Sequence, residues 1–271
     1  MKIVQANGQT CNKFWTYANY LADSIETGEK IIILAPDISI KDYSNLMSSK
    51  IIKFPFYFES ISKIIGYRSN IKLLNFILAN KVSTKIFSIF FIFIPRVHFV
   101  DAHTGGYISG KRGKYKKVLD ELFAPNQIII DEVNSIFETY KEKKKIICGV
   151  HMRRGDYKEF EGGKYFYSNE QYHSLMLNII SVFPEKEVSF FVASNEHIDF
   201  SAFDNCDCFS IPNGSATKDL LGLSICDYII GPSSTFSGWA SYYSNIPIYF
   251  IENPNNKIDK SSFFQIMEIW N

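Results

Sequence analysis

The segment His151-Met152-Arg153-Arg154-Gly155-Asp156-Tyr157 joins residue types that could do chemistry together. It directly follows the apolar run Ile146–Val150, so its side chains are expected at the carboxyl end of a parallel strand. Open α/β sheets place their ligands there. Two adjacent guanidinium forks match the paired oxygens of a diphosphate and stay charged. Asp156 and His151 could orient those arginines or bond to a ribose or base. A surface Arg–Asp cluster finishing a strand would use the same residues, and this motif alone does not decide between the two.

A second segment, Gly231-Pro232-Ser233-Ser234-Thr235-Phe236-Ser237-Gly238, follows the strand-like Tyr228–Ile230 and opens a helical pattern. Backbone N–H groups at a helix start, with the hydroxyls of Ser233, Ser234 and Thr235, suit a phosphate. Plain N-capping by Ser234 or Thr235 is the alternative. Taken together, the two segments could each supply half of a pyrophosphate site. No Walker lysine motif and no G-x-G-x-x-G occurs, so NTPase and dinucleotide readings fail. No D-x-D pair stands at a strand end. The arginines would then take the part a metal plays elsewhere in stabilising a departing diphosphate.

Around these segments the chain alternates short apolar runs with helix-period stretches, the signature of a parallel α/β sheet. In the first half, strands are expected at Lys2–Val4 and Ile31–Ala35, a helix at Phe14–Ser24, helices near 41–49 and 70–82, and extended pieces near 51–57 and 96–100. Helices at Tyr115–Phe123 and Gln127–Tyr140 follow, parted by Ala124-Pro125-Asn126. The second half predicts strands at Ile146–His151, Glu187–Ala193, Cys208–Ile211, Tyr228–Gly231 and Ile248–Ile251. Its helices are expected at Ser168–Phe183, Thr217–Cys226, Thr235–Tyr243 and Ser262–Trp270. The two halves, 1–140 and 141–271, suggest two facing Rossmann-like domains with the ligand in the cleft between them.

Bulk composition excludes several classes. The 271 residues carry 29 basic and 28 acidic side chains, so no broad basic face for nucleic acid is expected. Five cysteines show no C-x-x-C or Cys/His ligand spacing, which fits a reducing, cytoplasmic setting and argues against structural zinc. The most apolar run, Ile86–Pro95, is half of what a bilayer span needs and reads as a buried strand or helix. The protein is expected to be soluble, with peripheral membrane association left open. Aromatics make up 16% of the chain; core packing is their commoner use, and sugar-stacking platforms are the sharper alternative.

His151–Tyr157 resembles the HxRRxD motif of the α-1,2-fucosyltransferases and their α-1,6- and protein O-fucosyltransferase relatives. The resemblance continues in order along the chain. Asn7–Ala18 is similar to the bacterial opening GGxGNQxFQYA, keeping Asn12, and Leu119–Pro125 sits where these enzymes carry a similar helix end. Phe191–Asn195 is similar to F-x-x-S-D, with Asn195 where an aspartate is frequent. Asp219–Trp239 is similar to the D-x-x-x-M-S-x-C…N-S-S-F-S-W-W block, with Gly231-Pro232 and Gly238-Trp239 as departures.

The resemblance implies a GT-B-like fold with the donor site mainly in the C-terminal domain and the acceptor side in the N-terminal one. It implies metal-independent, inverting transfer of fucose from GDP-fucose to a glycan or lipid-linked oligosaccharide, with no further cofactor. By the family pattern Arg153 meets the β-phosphate, Arg154 supports the loop or adds charge, and His151 lies near the nucleoside. Asp219 reads guanine, Ser234 and Thr235 bind phosphate, and Asn12 sits near the transferred sugar. Asp156, Glu159, Glu161 and Asp37 are candidates for the base that deprotonates the acceptor hydroxyl. Leaving-group stabilisation with proton transfer to the departing phosphate is the alternative.

Overall fold

The computed structural model describes residues 1–6, 8–33, 38–53, 63–66, 69, 72–73, 85–86, 89, 98–101, 111–141 and 145–266. The chain divides into two compact units, Met1–Asn126 and Gln127–Trp270.

The first unit is built on four parallel strands, β1 (Lys2–Gln5), β2 (Ile31–Ile33), β3 (Ile52–Lys53) and β4 (His98–Asp101), in the order β3-β2-β1-β4. Between β1 and β2 runs α1 (Thr10–Thr27), which buries Phe14, Tyr17, Ala18 and Leu21. Spacings of three and four put these residues on one face, which is why this stretch is an amphipathic helix. The helix stops at Gly28, whose φ of 71° is the left-handed conformation a helix end favours in glycine. Phe14 packs edge-on against Tyr43 and against Phe123, tying α1 to α2 (Ser44–Ser48) and α3 (Lys116–Leu122). The expected helix at 70–82, the run Ile86–Pro95 and the Pro36-Asp37 break lie outside the described residues, apart from isolated positions.

The second unit has five parallel strands, β5 (Ile146–Met152), β6 (Val188–Ser194), β7 (Asp207–Phe209), β8 (Tyr228–Pro232) and β9 (Ile248–Ile251), in the order β7-β6-β5-β8-β9. From Ile147 to Met152 every residue of β5 is buried, as a central parallel strand covered on both faces requires. On one face α5 (Asn169–Val182) sets Tyr172, Leu175, Met176 and Ile179 against Val150, Phe190 and Val192. A capping box starts that helix: Ser168 accepts the Gln171 N–H, and the Gln171 side chain accepts the Ser168 N–H. On the other side α4 (Gln127–Lys141) places Phe137 5.0 Å from Phe191 and 5.2 Å from Phe209. A division at 140/141 therefore falls at the end of a helix that packs with the second unit. Next to α4 lies α6 (Ala216–Ser224), and α7 (Thr235–Ser244) links β8 to β9.

One expected element differs. The helix predicted over Ser262–Trp270 does not begin at Ser262. Phe264 is extended and exchanges two backbone hydrogen bonds with Ile248 at 2.9 and 3.1 Å, adding an antiparallel bridge to the edge strand β9. An exposed strand edge offers unpaired backbone groups, and satisfying them at Phe264 delays helical structure to Ile266. Residues 267–271 lie outside the described residues.

Candidate active site

The strand order locates the site. From β5 the chain moves to β6 and β7 on one side, then returns to β8 and β9 on the other. The order reverses between β5 and β8, so the loops leaving their carboxyl ends diverge and open a crevice. The two strands approach closely there. A Cβ placed on Gly231 would lie 2.9 Å from His151 Cβ and 3.1 Å from the His151 carbonyl oxygen.

The loop after β5 separates its two arginines. The Arg153 guanidinium donates to Asp156 Oδ2 at 2.8 Å and lies over the Tyr157 ring at 5.1 Å, with 15% of its side chain exposed. Arg154 turns toward α5, donates to Asn169 Oδ1, and lies over Phe166 at 5.6 Å and Tyr172 at 6.0 Å. It thereby ties the loop to the first turn of α5. Asn195, just past β6, accepts the Arg154 N–H at 3.0 Å and donates to the Arg154 carbonyl at 3.4 Å. Gly155 then adopts a φ of 58°, and a Cβ on it would stand 2.8 Å from Asn195 Nδ2. A side chain at that position would push Asn195 off the turn.

His151 is 4% exposed, and its ring lies 5.1 Å from that of Phe236. Its carbonyl accepts the Tyr172 hydroxyl at 3.2 Å. Burial, with the Arg153 cation nearby, pushes its imidazole down to about 3, so the ring is neutral at physiological pH. Among the described residues its Nδ1 is buried without a hydrogen-bond partner.

Across the crevice, Ser234 caps α7 by accepting the Phe236 N–H at 3.2 Å, while Ser233 and Thr235 are exposed beside it. The cap and the two exposed hydroxyl residues are thus neighbours at one helix start. Asp219 sits in the first turn of α6. A Cβ on Gly214 would come within 3.1 Å of its Oδ1, so glycine lets the loop pass this carboxyl closely. Desolvation raises Asp219 to about 7, well above an ordinary aspartate.

His151, Arg153, Arg154, Asp156, Asp219, Ser233, Ser234 and Thr235 therefore all lie at the carboxyl edge of the second sheet. Asn12 belongs to the first unit. It is exposed in the first turn of α1, with its amide over Gly8, whose φ is 83°. Of the carboxylates considered as a base, Asp156, Glu159 and Glu161 are exposed on the arginine loop, and Asp37 lies outside the described residues. Asn195 and Asn169 complete the loop and were not among the expected site residues. The position of Asn195 at the end of a strand expected beside the arginine strand was the available signal. Among the described residues no cluster of three or more His, Cys, Asp or Glu could hold a metal, and no helix is long and apolar enough to cross a membrane.

The sequence profile of Glycosyl transferase family 11 matches residues 46–265. The fold is shared with the fucosyltransferase NodZ from Bradyrhizobium, with a TM-score of 0.54 at 15% identity over 94% of this chain and 96% of that one. It is shared also with POFUT1 in complex with GDP-fucose, with a TM-score of 0.57 at 10% identity over 95% and 96%. These are GT-B-like structures, and at such identities the likeness is one of fold. No curated protein matches the chain in sequence.

Proposed function

The chain belongs to glycosyl transferase family 11, and we propose that this glycosyltransferase moves fucose from GDP-fucose to a hydroxyl of a glycan, with inversion and without a metal. The observation that carries the donor site is the meeting, at the β5/β8 switch point, of the Arg153 loop, the start of α7 and the buried Nδ1 of His151. A buried polar atom left without a protein partner is costly, and a nucleotide hydroxyl would satisfy it.

In this reading Arg153 meets the β-phosphate through its planar fork, and the start of α7, with the exposed Ser233 and Thr235, adds the positive end of the helix dipole. The acceptor oxygen attacks C1 of the sugar, the C1–O bond to the β-phosphate breaks, and its electron pair leaves with GDP. Charge develops on that phosphate, where Arg153 already stands, so the protein itself supplies the stabilisation a cation would otherwise give. The hydroxyl proton passes to a loop carboxylate (Asp156, Glu159 or Glu161) or to the departing phosphate. Asp156 is paired with Arg153 and would be released as the arginine turns to the diphosphate. Asp219 suits a guanine edge, since one carboxylate can receive two N–H bonds. GDP-fucose in the POFUT1 complex supports this choice of donor.

The second unit would hold the donor, while the first, with Asn12, would serve the acceptor side and the transferred sugar. An α-1,2 linkage in a surface polysaccharide such as an O-antigen, formed at the cytoplasmic side of the membrane on a lipid-linked oligosaccharide, fits this assignment. Donor hydrolysis measured in chelator across GDP-fucose, GDP-mannose and UDP-galactose tests it. Turnover of GDP-fucose is expected. Preference for GDP-mannose would reassign the sugar, and GDP binding with no turnover of any donor would leave a non-catalytic module.

A further inference from the structure

The loop after Arg153 carries more aromatic surface than a phosphate-binding turn needs. Tyr157, under the Arg153 guanidinium, stacks on Phe160 with centroids 5.1 Å apart and planes 25° apart. Tyr165 closes the group at 6.4 Å from both rings. The three stand apart from the core cluster beneath the sheet, which reaches this segment only at Tyr167. Phe160 leaves 47% of its surface exposed. Glu161, Gly162 and Gly163 all have positive φ, and this turn brings Tyr165 back alongside Phe160.

We propose that Tyr157, Phe160 and Tyr165 form a subsite that stacks a pyranose ring of the acceptor glycan. The proposal rests on the glycosyltransferase reading above and deepens it by naming what binds beside the donor. A pyranose has an apolar C–H face and a rim of hydroxyls. The exposed ring of Phe160 suits the first, and the exposed carboxylates of Asp156, Glu159 and Glu161 can receive hydrogen bonds from the second. Two observations fix the occupant. The aromatic group is continuous with Arg153 through Tyr157, so a sugar lying on it sits next to the bond that breaks. With Asp156 paired to Arg153, the charges left around the rings, Glu159 and Glu161 against Lys158 and Lys164, cancel, which suits a neutral glycan.

The test uses the full-length protein, saturated with GDP, on an array of neutral pyranose oligosaccharides. The same preparations of wild type, Phe160→Ala and Phe160→Trp are titrated with GDP in solution. Glycan binding is expected to fall at least tenfold in Phe160→Ala and to be retained in Phe160→Trp, while GDP affinity stays within twofold in all three. Unchanged glycan binding in Phe160→Ala overturns the subsite, as does a wild type that binds no glycan on the array. A loss of GDP affinity in Phe160→Ala also overturns it, because the ring would then serve the nucleotide. Failure of the donor site reads out separately, as wild type that does not bind GDP.

Discussion

Asn195 holds Arg154 by both backbone groups of that residue, accepting its N–H at 3.0 Å and donating to its carbonyl at 3.4 Å. An amide can do both; a carboxylate can only accept. The clasp fixes the turn that aims Arg153, although Asn195 itself is two strands' ends away from α7. Asn195→Asp is expected to leave the fold intact and weaken GDP about five- to tenfold, near the ~1 kcal/mol of one hydrogen bond. Titration of GDP, with thermal denaturation as a control, checks this. An unchanged affinity would mean the turn holds without the clasp.

Two desolvated groups, half-buried Asp219 and buried His151, give opposite pH signatures. Asp219 ionises near 3.8, the ordinary aspartate value, when unfolded and near 7 when folded. Between those values the unfolded chain has released the proton and the folded one keeps it, so this group lowers stability as pH rises from about 4 to 7. Asp219→Asn should abolish that slope and stabilise the unliganded protein at pH 8 by about 1–3 kcal/mol. His151 runs the other way, with 6.5 unfolded and about 3 folded. As pH falls below 6.5 the unfolded chain takes up a proton that the folded one refuses, so stability is lost toward pH 3, and His151→Asn should flatten that loss. Denaturant melts of each variant against wild type from pH 4 to 8 separate the two slopes.

Ligand binding should carry the Asp219 signature as well. If the ionised carboxylate receives the guanine N–H groups, GDP affinity attributable to this group rises about tenfold between pH 6 and 8. GDP's own phosphate titrates nearby, so the measured quantity is the difference between wild type and Asp219→Asn. A difference that is flat with pH would remove Asp219 from the base pocket.

Gly231 lets β8 lie against β5 at the switch point. Gly231→Ala would press a methyl to within 2.9 Å of His151 Cβ and 3.1 Å of its backbone oxygen, neither of which is a flexible chain end. A loss of about 1–3 kcal/mol in stability is expected, the usual cost of overpacking. GDP affinity should fall with it, because His151 and Ser233 would move apart. Retained stability and affinity would show the strands free to separate.

The second half of the fold was legible because its parallel strands are short, nearly all-apolar runs bounded by turns, as in Val188–Ala193. The arginine loop and the Ser-Thr helix start were legible for a related reason: each stands directly after such a strand. Asn195 was not, because its bonds run to the backbone of a neighbouring loop 41 residues away. Phe160 and Tyr165 were hidden among many aromatics, since only the left-handed turn at Glu161–Gly163 brings them together. The start of the tail is instructive in the same way. Helical structure expected from Ser262 is present at Ile266, but at Phe264 the open edge of β9 competes for the backbone, and that edge exists only in the folded sheet.

The central claim is that Arg153 holds the departing diphosphate. Calorimetric titration of GDP, in chelator, into wild type and Arg153→Ala tests it most directly. Micromolar binding in wild type, weakened by about 2–5 kcal/mol in the variant, is the predicted result for truncating a buried charge-paired contact. Equal binding in both proteins, or none in wild type, would contradict it.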